Sequence, residues 1–120
     1  MKPFSPNAPL MTLIVESTGT TDPESLLAKF HPIMKEMGFG HFQKQESWLY
    51  SASRAGKSLF RAEDNVFAEL KGNSLMINIE GESIFGTKSI ERLLQQIKRG
   101  YESALDCNVR IEGPDYSAAL

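Results

Sequence analysis

The residues able to do chemistry in this chain are few: two histidines, one cysteine and a stretch that mixes acid with aromatics. Read with period two, Phe42, Lys44, Glu46, Trp48, Tyr50 and Ala52 fall on one side of a strand over Phe42–Ser53. Gln43, Gln45, Ser47, Leu49, Ser51 and Ser53 fall on the other. The first side carries the aromatics and is expected to face the core. Glu46 would then be a carboxylate among aromatic rings, a group that marks a pocket. Together with Tyr50, and with His31 on the border of an apolar helix stripe, it defines a candidate ligand-binding set. The plainer alternative makes Phe42–Glu46 the solvent-exposed end of the strand.

The remaining motifs point to ordinary structure. His31 and His41 belong to no HxH, HExxH or CxxC spacing, so no metal site is expected. Cys107 follows the end of a helix, whose partial negative charge opposes a thiolate. Ser51–Ser58 ends in Gly-Lys-Ser like a phosphate loop, but Ser51 stands where the loop needs its first glycine. A turn over Arg54-Ala55-Gly56-Lys57 is expected instead. Gly81-Glu82-Ser83-Ile84-Phe85 follows a nucleophile elbow only to its fourth position, because Phe85 replaces the last glycine. No cofactor fingerprint is present.

The elements that must position these residues follow from periodicity. Leu10–Ser17 is rich in Leu, Ile and Val and reads as a strand. A helix then starts either at Thr21, with Glu24 completing a capping box, or at Asp22, with Pro23 in the first turn. Leu26, Leu27, Phe30, Ile33, Met34 and Met37 form its apolar face, Pro32 kinks it, and Gly38 ends it. Residues 58–71 read as two short strands around Glu63-Asp64-Asn65. Lys71-Gly72-Asn73-Ser74 then turns the chain into a strand over Leu75–Glu80. A second helix over Lys88–Leu105 carries Ile90, Leu93, Leu94, Ile97, Tyr101, Ala104 and Leu105, with Gly100 as a weak point. Lys88, Arg92, Gln95 and Arg99 make its solvated face. Asn108–Glu112 reads as an edge strand that Gly113-Pro114 terminates.

The expected fold is therefore α+β, with order β-α-β-β-β-β-α-β. Two amphipathic helices cover one face of a mostly antiparallel sheet in two layers. Residues 1–9 are expected to be a flexible arm, 10–113 the domain and 114–120 a flexible tail. The chain has 120 residues, enough for one core without staples. Its net charge of −2 argues against nucleic acid, and its single cysteine allows no internal disulfide. Leu10–Val15 is too short for a signal segment and no run would span a membrane, so the expected location is the cytoplasm.

Without a convergent catalytic set, the expected function is a small non-enzymatic protein-binding or adaptor module. It would act through the sheet face that the helices leave open. Gln45, Ser47, Leu49, Phe67 and Met76 are its expected interface residues, with a homodimer or another protein as partner. The alternative is a small ligand-binding domain or enzyme, with Glu46, Tyr50 and His31 between the helices and the Phe42–Ser53 strand.

Overall fold

Five consecutive residues of the first strand, Met11 to Val15, are all buried, as suits a strand in the interior of a sheet. In the computed structural model, which describes residues 10–19, 21–54, 64–80 and 87–115, six strands form one antiparallel sheet. They are β1 (Leu10–Ser17), β2 (His41–Glu46), β3 (Leu49–Arg54), β4 (Asp64–Lys71), β5 (Ser74–Glu80) and β6 (Cys107–Asp115). The order across the sheet is β2-β3-β4-β5-β1-β6. β1 is thus flanked by β5 and β6, and neighbours cover both of its edges.

Three helical segments pack on one face: α1 (Pro23–Ala28), α2 (Phe30–Glu36) and α3 (Thr87–Ala104). They bury Leu26, Leu27, Phe30, Ile33, Met34, Leu93, Leu94, Ile97 and Tyr101. Against these lie Met11, Leu13 and Val15 of β1, Ala52 of β3, Val66 and Ala68 of β4, and Leu75 and Ile77 of β5. This is the two-layer α+β arrangement that two apolar helix stripes and alternating strands require.

The first helical stretch breaks where proline chemistry dictates. Pro32 has no N–H to bond the Ala28 carbonyl, and its ring crowds that carbonyl. The helix is interrupted at Lys29, directly after Ala28. Asp22 rather than Thr21 is the N-cap: its Oδ1 accepts from the Ser25 N–H and from the Ser25 hydroxyl, both at 2.8 Å. At the far end Gly38 takes a φ of 92°. Its N–H reaches the Lys35 carbonyl and the Phe39 N–H reaches the Met34 carbonyl, each at 3.1 Å. That pattern of bonds closes a helix on a left-handed glycine. Arg54 adds a cap, donating from Nη1 to the Met37 carbonyl at 2.9 Å with its guanidinium 4.5 Å from the Phe39 ring centroid.

Three sequence expectations change. Phe42–Ser53 is not one strand but the hairpin β2–β3, turning at Ser47-Trp48, where serine favours a turn. Asp64–Lys71 is a single strand, so Asp64-Asn65 does not divide it; residues 58–63 lie outside the described residues. β6 continues through Gly113-Pro114 to Asp115. There the register slips between Leu10 and Thr12, so that a bulge on an edge strand accommodates the proline. The turn at Gly72, with φ 60°, joins β4 to β5 as expected, pairing Lys71 with Ser74. The expected arm at residues 1–9, the end of the tail at 116–120, and the turn residues 55–57 lie outside the described residues.

Candidate functional site

The helix-free side of the sheet carries a row of apolar side chains. Through the strand register, Leu49 stands opposite Glu69, Glu69 opposite Met76, Met76 opposite Ile14, and Ile14 opposite Arg110. One step along, Ser51 faces Phe67, Phe67 faces Asn78 and Asn78 faces Thr12. Leu49, Phe67, Met76 and Ile14 therefore share one face, out of phase with Leu13, Val66, Ala68 and Ile77 of the core. Gln45 joins them, donating from Nε2 to the Ser51 hydroxyl at 3.1 Å. Ser47 lies exposed in the β2–β3 turn at the end of the row. Among the described residues no helix packs on this side.

Charge enters the row as well as rimming it, since Glu69 stands between Leu49 and Met76. Arg110 binds Glu16 and, at 3.2 Å, Glu112. Lys71 lies 3.4 Å from Glu69. These pairs are largely exposed and contribute little to stability. In the middle, Thr12 donates its hydroxyl to Asn78 Oδ1 at 2.8 Å and is almost fully buried. Ile14 shares the face of the expected interface residues but is already buried. Its signal in the sequence is parity: it alternates against Leu13 and Val15, but an unbroken apolar run conceals alternation.

The candidate pocket is divided by a bulge. Lys44 pairs with Tyr50, but Glu46 pairs with Leu49, so one extra residue enters β2 between them. An extra residue reverses the parity of everything beyond it. Glu46 consequently stands opposite Leu49, at the exposed end of the hairpin, and not beside Tyr50. Trp48 departs from the expected core face as well: it occupies the turn with 44% of its surface exposed, and its carbonyl accepts from the Leu70 N–H at 2.8 Å.

His31 and Tyr50 do meet. Their rings stack 5.0 Å apart at 28°, and Phe42 and Phe30 close round the imidazole at 4.8 and 5.6 Å. The Lys44 ammonium lies 5.3 Å from the Tyr50 centroid. His31 Nε2 is buried and makes no hydrogen bond. An unpaired buried nitrogen of this kind costs about 1–3 kcal/mol. Burial pushes the imidazole below its ordinary pKa, the Ser51 backbone pulls it up, and Lys44 pushes it down again.

His41 is exposed at the start of β2, and Cys107 opens β6. The Cys107 thiol donates weakly to the Tyr101 carbonyl at 3.6 Å. Burial raises its pKa, and Glu102 and Asp106 raise it further, which is the direction the sequence suggested. No group of three or more candidate metal ligands forms among the described residues. Ser51–Arg54 of the phosphate-loop-like segment lies in β3, while 55–58 and the elbow-like Gly81–Phe85 lie outside the described residues. No described helix is long and apolar enough to cross a membrane. No protein-family model matches the chain, and no curated protein matches it.

Proposed function

We propose that this chain is a small protein-binding module that works through the helix-free face of its sheet, a second copy of itself being the first partner to test. The observation that carries the reading is that Leu49, Phe67 and Met76, each half-buried, share that face beside the buried Ile14. Single apolar residues on a surface are ordinary, whereas several on one sheet face are more often covered. The polar rows around them, Gln43, Gln45, Ser51 and Asn78, provide the hydrogen-bonding surround of an interface. The separation of Glu46 from His31 and Tyr50 weighs in the same direction, because it removes the acid from the competing pocket. The net charge of −2 disfavours phosphate backbones as partners, and a location in the cytoplasm accords with the single cysteine.

Light scattering tests this. The wild type elutes larger than a monomer at high concentration, and Leu49→Lys with Met76→Lys elutes as a folded monomer, since unpaired charge in an interface centre is costly. A wild type that stays monomeric and captures no protein from its source cells would remove the reading.

A further inference from the structure

The seam between α2 and the β2–β3 hairpin is built around a titratable ring. α2 offers Phe30 and His31 to it; β2 offers Phe42 and Lys44; β3 offers Tyr50 and the Ser51 backbone. We propose that protonation of His31 unlatches α2 from the β2–β3 hairpin, making this seam an acid-sensitive joint in an otherwise fixed sheet.

The geometry supports the proposal in three ways. First, ring faces at 4.8 to 5.6 Å enclose the imidazole. The Ser51 backbone favours a proton on the ring, but Nε2 has no hydrogen-bond partner. A proton placed on that nitrogen would be a buried charge with nothing to accept it. Second, the charged group near the ring opposes it. Lys44 faces it from β2, so a cationic ring meets like charge, while Lys35, one turn along α2, is exposed. Tyr50 contributes a neutral phenol from β3. Arg54, at the other end of β3, is taken up with the Met37 carbonyl and the Phe39 ring. The acid of the hairpin, Glu46, is carried to the opposite face by the bulge. Third, β2 is an edge strand whose side chains are mostly exposed, so loosening the seam leaves the pairs β4–β5 and β5–β1 intact.

The direction follows from the same facts. A histidine held below its ordinary value of 6.5 in the folded state is neutral there when the freed ring already takes a proton. The seam keeps its full strength above the unfolded value and loses it as pH falls through that value toward the folded one.

The test is residue-resolved amide exchange from about pH 7.5 to about pH 5, corrected for intrinsic exchange, with the ring protons of His31 titrated alongside. The expected result is loss of protection in α2, β2 and β3 while β1 and β5 keep theirs. His31 should titrate below the ordinary histidine value of 6.5. In His31→Phe, which keeps an aromatic ring in the slot without the proton site, the acid loss should disappear. The proposal is overturned if protection does not change, if the loss persists in His31→Phe, if it spreads equally to β1 and β5, or if His31 titrates at or above the ordinary value of 6.5. The ring titration is read on the wild type, so it decides between these outcomes even if the variant folds poorly.

Discussion

Gly100 and Ile33 touch where α2 meets α3: a methyl group at position 100 would lie 2.9 Å from Ile33 Cγ2. The sequence presents Gly100 as a weakness in a long helix. The structure gives it a purpose, since the absent side chain lets the two helices approach. Gly100→Ala gains about 1 kcal/mol of helix propensity but overpacks a buried branched side chain, which costs about 1–3 kcal/mol. We expect a net loss and a lower melting temperature. In an Ile33→Ala background the same substitution should become neutral or stabilising, and a double-mutant cycle by chemical denaturation checks the sign of the coupling.

Leu93 and Leu94 are buried at the centre of the α3 stripe. Truncating either to Ala should cost about 2–5 kcal/mol, because removed contacts and a residual cavity add. Denaturation midpoints measure it. Losses below about 0.5 kcal/mol at both positions would mean that α3 is not packed on the sheet as described.

Tyr101 is wholly buried and donates its hydroxyl to the Leu26 carbonyl at 3.0 Å, tying α3 to the last turn of α1. Burial pushes its phenol far above the ordinary range, with Cys107 adding to the effect, which favours the protonated donor. Tyr101→Phe keeps the ring and removes the donor. The expected cost is about 1–3 kcal/mol, with an unchanged far-ultraviolet spectrum.

The Cys107 thiol should react with iodoacetamide more slowly than a free thiol at neutral pH, because burial, Glu102 and Asp106 all hold it protonated. The contrast should vanish in denaturant. Glu102→Gln should speed the native reaction, and a native rate equal to that of the free thiol would contradict the burial.

Asp22 is the cap of α1, and its bonds to the Ser25 hydroxyl and N–H hold its carboxyl below the ordinary range. Its contribution is present above the unfolded carboxylate value and lost as pH falls through the folded one. Asp22→Asn keeps an acceptor that does not titrate, so wild type and variant should diverge only in acid. Asp22→Ala should be the less stable at neutral pH. Thermal melts across pH show both.

What was legible in the sequence was whatever has a period or a local rule. Leu75, Ile77 and Ile79 alternate as read, the α3 stripe is buried from Leu93 through Tyr101 while Ala104 is exposed, and Pro32 and Gly38 act where backbone chemistry puts them. What was not legible was set across the sheet. The bulge between Lys44 and Glu46 leaves no mark in the sequence, yet it moves Glu46 away from Tyr50 and undoes a three-residue pocket. The Ser47-Trp48 turn lacks the glycine or asparagine that announces a tight hairpin. The contact of Gly100 with Ile33 depends on how two helices cross, which no local pattern records.

The place of β1 between β5 and β6 has a consequence during synthesis. The ribosome delivers β1 first, but its partner residues, such as Asn78 and Glu112 for Thr12, arrive much later. At roughly 5–20 residues per second, the nascent first strand waits for seconds with its apolar run bare. The β2–β5 meander pairs from neighbours in sequence as it emerges, and until β1 docks the edge of β5 is an open template. Nascent chains crowded on one message would then compete for that edge, so slower translation after β1 lengthens the interval in which one chain's first strand can add to another's sheet.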